Sequence, residues 1–275
     1  MILKAFAKLN LILKVVGKNI DNYHLLQMLN IKIDLYDEIH IKENKLNKDI
    51  LIFNNSNLDG TKDNLIIKAL DIYREHYNIN KYYSIEVFKN IPIGAGLGGG
   101  SCDVGTILQY LSKEHNVDIY QQNFMNKLAK IGADIPYSLY NNACIVEGIG
   151  EIIRPVNLDI KDDFVILYPN IHSKTVDIFK NNKHISNKID MDYIINEINQ
   201  SNYKLLENDL ELSTFEIYPK LLEIKENILK SSNKIVMSGS GSTLVIFSLD
   251  IDKTYNELKY QYPDFIIKKV KQIKE

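Results

Sequence analysis

The sequence has two cysteines, no tryptophan and no long uninterrupted apolar segment. Cys102 and Cys144 are far apart and lack the spacing of CxxC or His/Cys metal ligands, which argues against a disulfide framework and a structural zinc site. The apolar N-terminus is interrupted by Lys4, Lys8 and Lys14, whereas a membrane helix needs about 20 apolar residues in a row. These absences predict a cytoplasmic protein that is neither exported nor membrane-spanning.

An excess of either charge is also missing, because 33 Lys and Arg residues face 35 Asp and Glu residues, for a net charge of -2. Nonspecific binding of nucleic acid or of an anionic membrane needs a basic field, so neither partner is expected. The 275 residues are 45% hydrophobic and 25% charged, which is typical of a folded globular protein. This length favours two compact lobes.

The order of predicted elements indicates the fold class. Leu9, Leu11, Leu13 and Val15 alternate with more polar residues, which predicts a strand with one buried face and with Lys8 and Asn10 on the same side. Further strands are predicted at 29–41, 84–88, 164–168, 235–237 and 243–247, helices at 66–77, from Cys102 onward, at 121–131, 191–198 and 219–229, and an exposed loop at 180–188. This mixture favours α+β or α/β, with a lobe boundary near Arg154 that divides the chain into 1–154 and 155–275.

The glycines are unevenly distributed, since nine of the 13 lie in three short clusters: Gly94, Gly96, Gly98, Gly99 and Gly100, then Gly148 and Gly150, then Gly239 and Gly241. The first cluster lies between a predicted strand and a predicted helix. Glycines leave room for consecutive backbone N–H groups to converge on one anion, and a helix N-terminus adds positive potential. A flexible turn is the alternative, but the sequence favours a phosphate-binding loop.

The type of phosphate loop follows from what surrounds it. No Gly-Lys-Ser/Thr ends the loop, so it is not a Walker A motif. Gly94, Gly96 and Gly99 have GxGxxG spacing, but the HRD and DFG motifs of protein kinases are absent. A dinucleotide-binding fold would need an acidic residue at the end of a strand about 20 residues on, whereas Glu114 and Asp118 lie at the tail of the next helix.

The segment Pro92-Ile93-Gly94-Ala95-Gly96-Leu97-Gly98-Gly99-Gly100-Ser101 resembles the phosphate loop of the GHMP small-molecule kinases, named for galactokinase, homoserine kinase, mevalonate kinase and phosphomevalonate kinase. Six further motifs occur in the order seen in the 4-diphosphocytidyl-2-C-methyl-D-erythritol kinases: Ala7-Lys8-Leu9-Asn10-Leu11, Asn22-Tyr23-His24, Asp63-Asn64-Leu65, Gly132-Ala133-Asp134-Ile135-Pro136, Glu147-Gly148-Ile149-Gly150-Glu151 and Ser238-Gly239-Ser240-Gly241. The resemblance covers residues 7–247.

The resemblance implies a two-lobed α+β fold, with an N-terminal lobe related to a ribosomal-protein domain and a ferredoxin-like C-terminal lobe. It also implies ATP-dependent phosphorylation, with magnesium, of the 2-hydroxyl of 4-diphosphocytidyl-2-C-methyl-D-erythritol in the non-mevalonate route to isoprenoid precursors. The expected partner is thus a small molecule that carries a cytidine diphosphate group. We expect the protein to be a monomer or a weak homodimer.

Lys8 and Asp134 resemble the pair that supports phosphoryl transfer, which needs an oriented hydroxyl, a neutralised phosphate and often a carboxylate that takes the proton. By this resemblance Asp134 is the general base and Lys8 orients the hydroxyl. Residue types alone leave two alternatives open, since Asp134 also suits a helix cap and Lys8 an exposed strand position.

The resemblance assigns the remaining site residues. Those expected at ATP are Asn64, Pro92, Ile93, Gly94, Ala95, Gly96, Leu97, Gly98, Gly99, Gly100, Ser101 and Cys102. Cys102 departs from the family, which usually has a second serine there, and a thiol is a poorer hydrogen-bond donor. Those expected at the substrate are Tyr23 and His24 at the cytosine, Phe179 on its other face, Asn10 at the erythritol hydroxyls, and Gly239 in a loop that closes over the centre.

Two other functions compete with this interpretation. The first is another GHMP kinase, such as a mevalonate or homoserine kinase, against which Tyr23-His24 and the triple glycine Gly98–Gly100 argue. The second is a non-catalytic nucleotide-binding regulator. That function predicts loss of Lys8 or Asp134, and both residues are present.

Overall fold

The computed structural model of the chain describes residues 1–54, 58, 60, 63–229, 232 and 234–274. The first part of the chain forms a sheet and the helices that cover it. Its elements are β1 (Ile2–Lys18), β2 (His24–Asn44), β3 (Ile50–Phe53), α1 (Leu65–Tyr77), β4 (Tyr82–Phe88), α2 (Gly99–His115), α3 (Gln122–Ile131), α4 (Ile135–Ser138), β5 (Cys144–Gly148) and β6 (Ile152–Pro155).

The second part again mixes strands with helices. Its elements are β7 (Phe164–Tyr168), α5 (Thr175–Asn181), α6 (Met191–Asn199), β8 (Glu207–Asn208), α7 (Glu211–Ile217), α8 (Pro219–Leu229), β9 (Lys234–Met237), β10 (Leu244–Phe247), α9 (Ile251–Gln261) and β11 (Ile266–Val270). Helices and strands thus mix along the described chain, as the α+β prediction requires. Among the described residues, no helix is long and apolar enough to cross a membrane.

The first sheet has the strand order β3-β4-β2-β1-β8, with β5 paired to β2 and β6 paired to β5. β1 and β2 are antiparallel, and Lys8 lies opposite Lys32 while Asn10 lies opposite Asn30. The pairing shifts register between Phe6 and Lys8 and again just after Asn10. Such irregularities redirect side chains, and here they flank the Lys8–Asn10 segment on both sides.

The prediction that β1 buries one face is wrong for residues 7–15, all of which are buried. Leu9 and Leu11 belong to an apolar cluster with Phe164 and Ile195 from the second part of the chain. Helix α2 packs against β1 as well. Because both faces of the strand are covered, its polar residues are also removed from solvent.

The second sheet has the order β11-β7-β10-β9, with antiparallel neighbours throughout. The predicted lobe boundary at residue 154 falls inside β6, which still pairs with β5 of the first sheet. Conversely, β8 of the second part pairs in parallel with β1. The two parts therefore share the first sheet, and the division into 1–154 and 155–275 stays a prediction.

The helices that frame the site have clear sequence causes. In α1, Ile66, Leu70 and Tyr73 recur on one buried face, and the Asn64 side chain accepts a hydrogen bond from the Ile66 N–H at 2.9 Å, as an N-cap does. The helix predicted from Cys102 begins earlier, at Gly99, inside the glycine run. The loop predicted at 180–188 is shorter, since α5 continues to Asn181.

Candidate active site

A cavity of about 490 Å³ lies where the two parts of the chain meet. It is lined by most of the residues predicted from the sequence: Lys8, Asn10, Asn64, Pro92, Ile93, Gly94, Ala95, Gly96, Leu97, Gly98, Gly99, Gly100, Ser101, Asp134, Phe179 and Gly239. Of the predicted residues, Tyr23, His24 and Cys102 are not part of this lining. Residues separated by up to about 230 positions in the sequence thus surround one space.

The glycine loop follows the edge of this cavity. Gly96 and Gly98 have φ angles of +77° and +66°, which residues with a side chain rarely adopt. A β-carbon at Gly98 would lie 2.7 Å from Cγ of Lys8, and one at Gly96 would collide with the Ser238 carbonyl oxygen. Glycine is therefore required for the backbone conformation and also for the close approach of Lys8 and Ser238.

Helix α2 begins directly after the loop, with Gly98 as its N-cap. Gly99, Gly100 and Ser101 form its first turn and line the cavity. The first N–H groups of a helix have no partner within the helix, and its N-terminus carries a positive partial charge. This end of the cavity is therefore suited to an anion such as a phosphate.

Cys102 is predicted among the residues at ATP, but its side chain does not line the cavity. It is fully buried, and its sulfur accepts hydrogen bonds from Lys32 Nζ at 3.3 Å and from the Ser138 hydroxyl at 3.7 Å. Because the helix begins at Gly99, the Cys102 N–H already donates to the Gly98 carbonyl at 2.8 Å, and its sulfur lies against Lys32 of β2 and Ser138 of α4.

Lys8 and Asp134 form an ion pair, with 3.2 Å between Lys8 Nζ and Asp134 Oδ2. The Lys8 side chain is only 3% exposed, whereas that of Asp134 is 31% exposed and lines the cavity. Asp134 occupies the N-cap position of α4, but its side chain makes no capping hydrogen bond. Lys8 is therefore not an exposed strand lysine, and the Asp134 side chain does not cap the helix.

Asn10 links this pair to the loop at Ser238. Its Oδ1 accepts a hydrogen bond from Lys8 Nζ at 2.6 Å, and its backbone N–H donates to the Ser238 hydroxyl at 3.2 Å. That hydroxyl in turn donates to the Gly96 carbonyl at 3.0 Å. The segment around Gly239 thus contacts both the glycine loop and β1.

His24 does not line the cavity but packs against Phe179, which does, with ring centroids 5.2 Å apart and planes tilted by 39°. Burial, with a smaller contribution from the Lys18 charge, lowers the pKa of His24 below its usual value. Its Nε2 is buried and has no hydrogen-bond partner among the described residues. Tyr23 is 60% exposed in the preceding turn, outside this cavity.

Three charged residues were not found from the sequence: Lys89 and Asp103, which line the cavity, and Asp37, which pairs with Lys89. Lys89 Nζ forms ion pairs with Asp103 Oδ2 at 2.7 Å and with Asp37 Oδ2, and all three side chains are buried. Burial raises the pKa of Asp103 to about 8, against the opposing charge of Lys89 and with a further increase from Asp37. The only sequence signal was charged residues within apolar segments, which does not identify partners.

Known families and proteins resemble this chain over the same regions. The family of GHMP kinases, N terminal domain, matches residues 64–142, which include the glycine loop and Asp134. A 4-diphosphocytidyl-2-C-methyl-D-erythritol kinase of Clostridium tetani is 39% identical over 286 residues, covering 98% of this chain and 99% of the relative. One from Clostridium kluyveri is 33% identical, covering 97% and 99%.

The fold also agrees with a solved structure. The crystal structure of a 4-(cytidine 5'-diphospho)-2C-methyl-D-erythritol kinase superposes with a TM-score of 0.80 at 24% identity, covering 98% of this chain and 99% of that one. The predicted GHMP kinase fold is therefore confirmed. Kinases of this fold use ATP as the phosphate donor. The identity and coverage of the clostridial relatives go further and show that this chain belongs to the 4-diphosphocytidyl-2-C-methyl-D-erythritol kinase family.

Proposed function

We propose that this protein transfers the γ-phosphoryl group of ATP to the 2-hydroxyl of 4-diphosphocytidyl-2-C-methyl-D-erythritol, a step of the non-mevalonate route to isoprenoid precursors. The observation that carries the proposal is the Lys8–Asp134 ion pair at 3.2 Å, which lies beside the glycine loop in the shared cavity. An alcohol acceptor needs such a carboxylate and cation next to the phosphate site. The choice of substrate rests on the clostridial relatives at 33% and 39% identity, which are named as kinases of this compound.

Asp134 is the proposed general base. Its half-exposed carboxylate opens to the cavity, so it can accept the proton of the substrate hydroxyl as the new O–P bond forms and the bond from the γ-phosphorus to ADP breaks. Lys8 donates to Asn10 and pairs with Asp134, and an ammonium group has a third proton to offer. That proton would be donated to the transferring phosphoryl group, whose charge Lys8 would stabilise.

The phosphates of ATP are assigned to the glycine loop. Gly94, Gly96 and Gly98 supply backbone without side chains, and the first turn of α2 supplies N–H groups and the Ser101 hydroxyl. Asn64 lines the same cavity and is assigned to the nucleotide as well. Cys102 is left out of this set because its side chain faces the core.

The cytosine is assigned to His24 and Phe179. A neutral imidazole can donate from one nitrogen and accept at the other, which suits the edge of a base, and the Phe179 ring offers a stacking face. The buried, unpartnered Nε2 of His24 supports this role. Asn10 and Gly239 line the cavity next to Gly96 of the glycine loop, and the erythritol hydroxyls are assigned to them. Tyr23, which is exposed and does not line the cavity, stays a prediction.

Magnesium is expected together with ATP. Among the described residues, no group of three or more His, Cys, Asp or Glu side chains comes together to hold a metal ion. Mg²⁺ is commonly bound by substrate phosphates and a few protein oxygens, so these residues fit an ion that arrives with the nucleotide. The Ser101 hydroxyl would contribute to holding it, and the ion would neutralise phosphate charge.

A coupled ADP-release assay of the purified protein tests the proposal. The assay compares 4-diphosphocytidyl-2-C-methyl-D-erythritol with mevalonate and homoserine at equal concentrations. We expect turnover of the cytidine substrate alone. Turnover of mevalonate or homoserine instead would overturn the proposed substrate, and no turnover of any alcohol would overturn the proposed reaction.

A further inference from the structure

The Asn30 side chain is an unexplained polar group beneath the cavity. It is fully buried in β2, directly opposite Asn10 in β1. Its Oδ1 accepts a hydrogen bond from Asn10 Nδ2 at 2.7 Å. Its own Nδ2 has no hydrogen-bond partner among the described residues. A buried donor without a partner costs free energy, and a leucine of similar size would avoid this cost because it has no polar group.

The hydrogen bonds around Asn10 have a fixed direction. A carboxamide has one accepting end and one donating end, whereas an ammonium group only donates. Lys8 Nζ therefore takes the Asn10 oxygen, at 2.6 Å, and the Asn10 NH₂ group must point away from Lys8. It points to Asn30 Oδ1 and, at 3.4 Å, to the weakly accepting sulfur of Met28. Asn30 Oδ1 is thus the strong acceptor for the Asn10 NH₂ group when the Asn10 oxygen faces Lys8.

The strands alone do not hold these side chains. The register of β1 against β2 shifts on both sides of the Lys8–Asn10 segment, so the regular ladder is interrupted where the side chains need a fixed direction. A small misplacement of a group near the reacting atoms can cost about 10²-fold in rate. A buried acceptor opposite Asn10 supplies the missing constraint.

We propose that Asn30 is a positioning residue for phosphoryl transfer, which holds the Asn10 carboxamide with its oxygen toward Lys8 and thereby fixes the Lys8 ammonium beside Asp134. This inference rests on the proposed kinase function. Asn30 itself touches neither reactant and acts through Asn10.

The kinetic test compares Asn30→Leu, which removes the acceptor, with Asn30→Asp, which keeps an oxygen facing Asn10. We expect Asn30→Leu to lower kcat by about tenfold or more with the KM for ATP unchanged, and Asn30→Asp to retain most of the wild-type kcat. Gln27→Leu is the matched control, because Gln27 is a buried amide of the same strand that bonds only the Ile189 backbone in the described structure. It should change the melting temperature and leave kcat unchanged.

Coupling to Asn10 distinguishes positioning from general stability. Asn10→Ala combined with Asn30→Leu should be no slower than Asn10→Ala alone, because both changes remove one connection. A wild-type kcat in Asn30→Leu, or two effects that simply multiply, would overturn the inference. Should Asn30→Leu fail to fold, Asn30→Ala takes its place in the same cycle.

A measurement independent of turnover separates this inference from the proposed function. The side-chain NH₂ protons of Asn10 should exchange slowly with solvent in the wild type and at least tenfold faster in Asn30→Leu, as followed by NMR. Equal exchange in both proteins would overturn the positioning role even if the wild type is active. A wild type that turns over no substrate would overturn the kinase proposal, while the exchange result would still decide the role of Asn30.

Discussion

Two buried lysines, Lys8 and Lys89, line the same cavity with different partners. Lys8 pairs with Asp134, whose side chain is 31% exposed, and with the neutral Asn10 amide. Lys89 lies between two buried carboxylates, those of Asp37 and Asp103. Lys8 is bonded to one carboxylate and one neutral amide, so one of its three ammonium protons stays available for a phosphate, whereas Lys89 lies between two buried carboxyl groups. Lys8 is therefore suited to catalysis, whereas Lys89 is suited to stabilising the fold.

The architectural role of Lys89 follows from what its partners hold. Oδ1 of Asp37 accepts the backbone N–H of Ile91 at 2.8 Å, directly before the glycine loop. Asp103 lies in α2, directly after the loop. Lys89 therefore ties together the two ends of the phosphate-binding segment.

The largest expected effect is on stability. Lys89→Met removes the cation that pairs with the buried Asp37 and Asp103 carboxyl groups, which should lower the free energy of unfolding by about 3–5 kcal/mol. Urea denaturation followed by circular dichroism measures the change. Lys161→Met, at an exposed position, is the control and should have almost no effect. If Lys89→Met lowers the free energy of unfolding by less than about 1 kcal/mol, Lys89 does not have the stabilising role that distinguishes it from Lys8.

Asp134→Asn tests the catalytic role proposed for Lys8 and its partner Asp134. The amide keeps the shape of the carboxylate but cannot take a proton, so kcat should fall by about 10²-fold or more with little change in melting temperature. Lys8→Met should be similarly inactive, and the double variant should be hardly slower than either single one. Steady-state ADP release measures all three. Near wild-type turnover in Asp134→Asn would exclude it as the base.

At Phe179 and the adjoining His24, recognition is expected to depend on neutral groups rather than on ion pairs. His24→Ala should raise KM for the cytidine substrate about tenfold and leave KM for ATP unchanged, because an unpaired base edge costs ~1–3 kcal/mol. The matched control is His40→Ala, a histidine of the same strand that pairs with Glu38. If KM rises equally for the cytidine substrate and for ATP, His24 supports the structure of the site rather than binding the base.

The smallest expected effect concerns pH. The folded-state pKa of Asp103 is raised to about 8 from its usual 3.8, so the folded protein holds a proton that the unfolded chain has released between these values. Stability due to this group is therefore lost as the pH rises through that window. Asp103→Asn should remove this loss, with a stability gain over wild type that grows from pH 4 to pH 8 and reaches at least about 1 kcal/mol.

Thermal unfolding of both proteins at several pH values checks this prediction. Above pH 8 the difference between them should level off, because Asp103 is then ionised in both states of the wild type. A difference that is constant across the range would show that Asp103 does not titrate in this window.

Local motifs made much of the site predictable. The glycine loop, Lys8, Asn10 and Asp134 each lie in a short recognisable segment, and all of them line the cavity. Partners that depend on strand register were not predictable, because Asn30 meets Asn10, and Asp37 meets Lys89, only after β1, β2 and β4 have paired. Pattern alone shows neither the register nor the two shifts in it.

Helix phase and short elements account for the other differences. Cys102 does not line the cavity, and because α2 begins at Gly99 its N–H is already bonded to the Gly98 carbonyl. The prediction of one buried face in β1 was wrong since periodicity shows the alternation of residues but not what covers each face. Among the elements not predicted are β3, β8 and α7, whose lengths of 4, 2 and 7 residues give little periodic signal.

The hydrogen bond from the Asn10 N–H to the Ser238 hydroxyl joins residues 228 positions apart. During synthesis at about 5–20 residues per second, roughly 10–50 s pass between the translation of Asn10 and that of Ser238. Until Glu207 and Asn208 have been made, β1 also lacks its parallel neighbour β8. A nascent chain that has already made Lys8, the glycine loop and Asp134 therefore lacks the segment that completes the cavity. Enzymatic activity should appear only when nearly the whole chain has emerged from the ribosome.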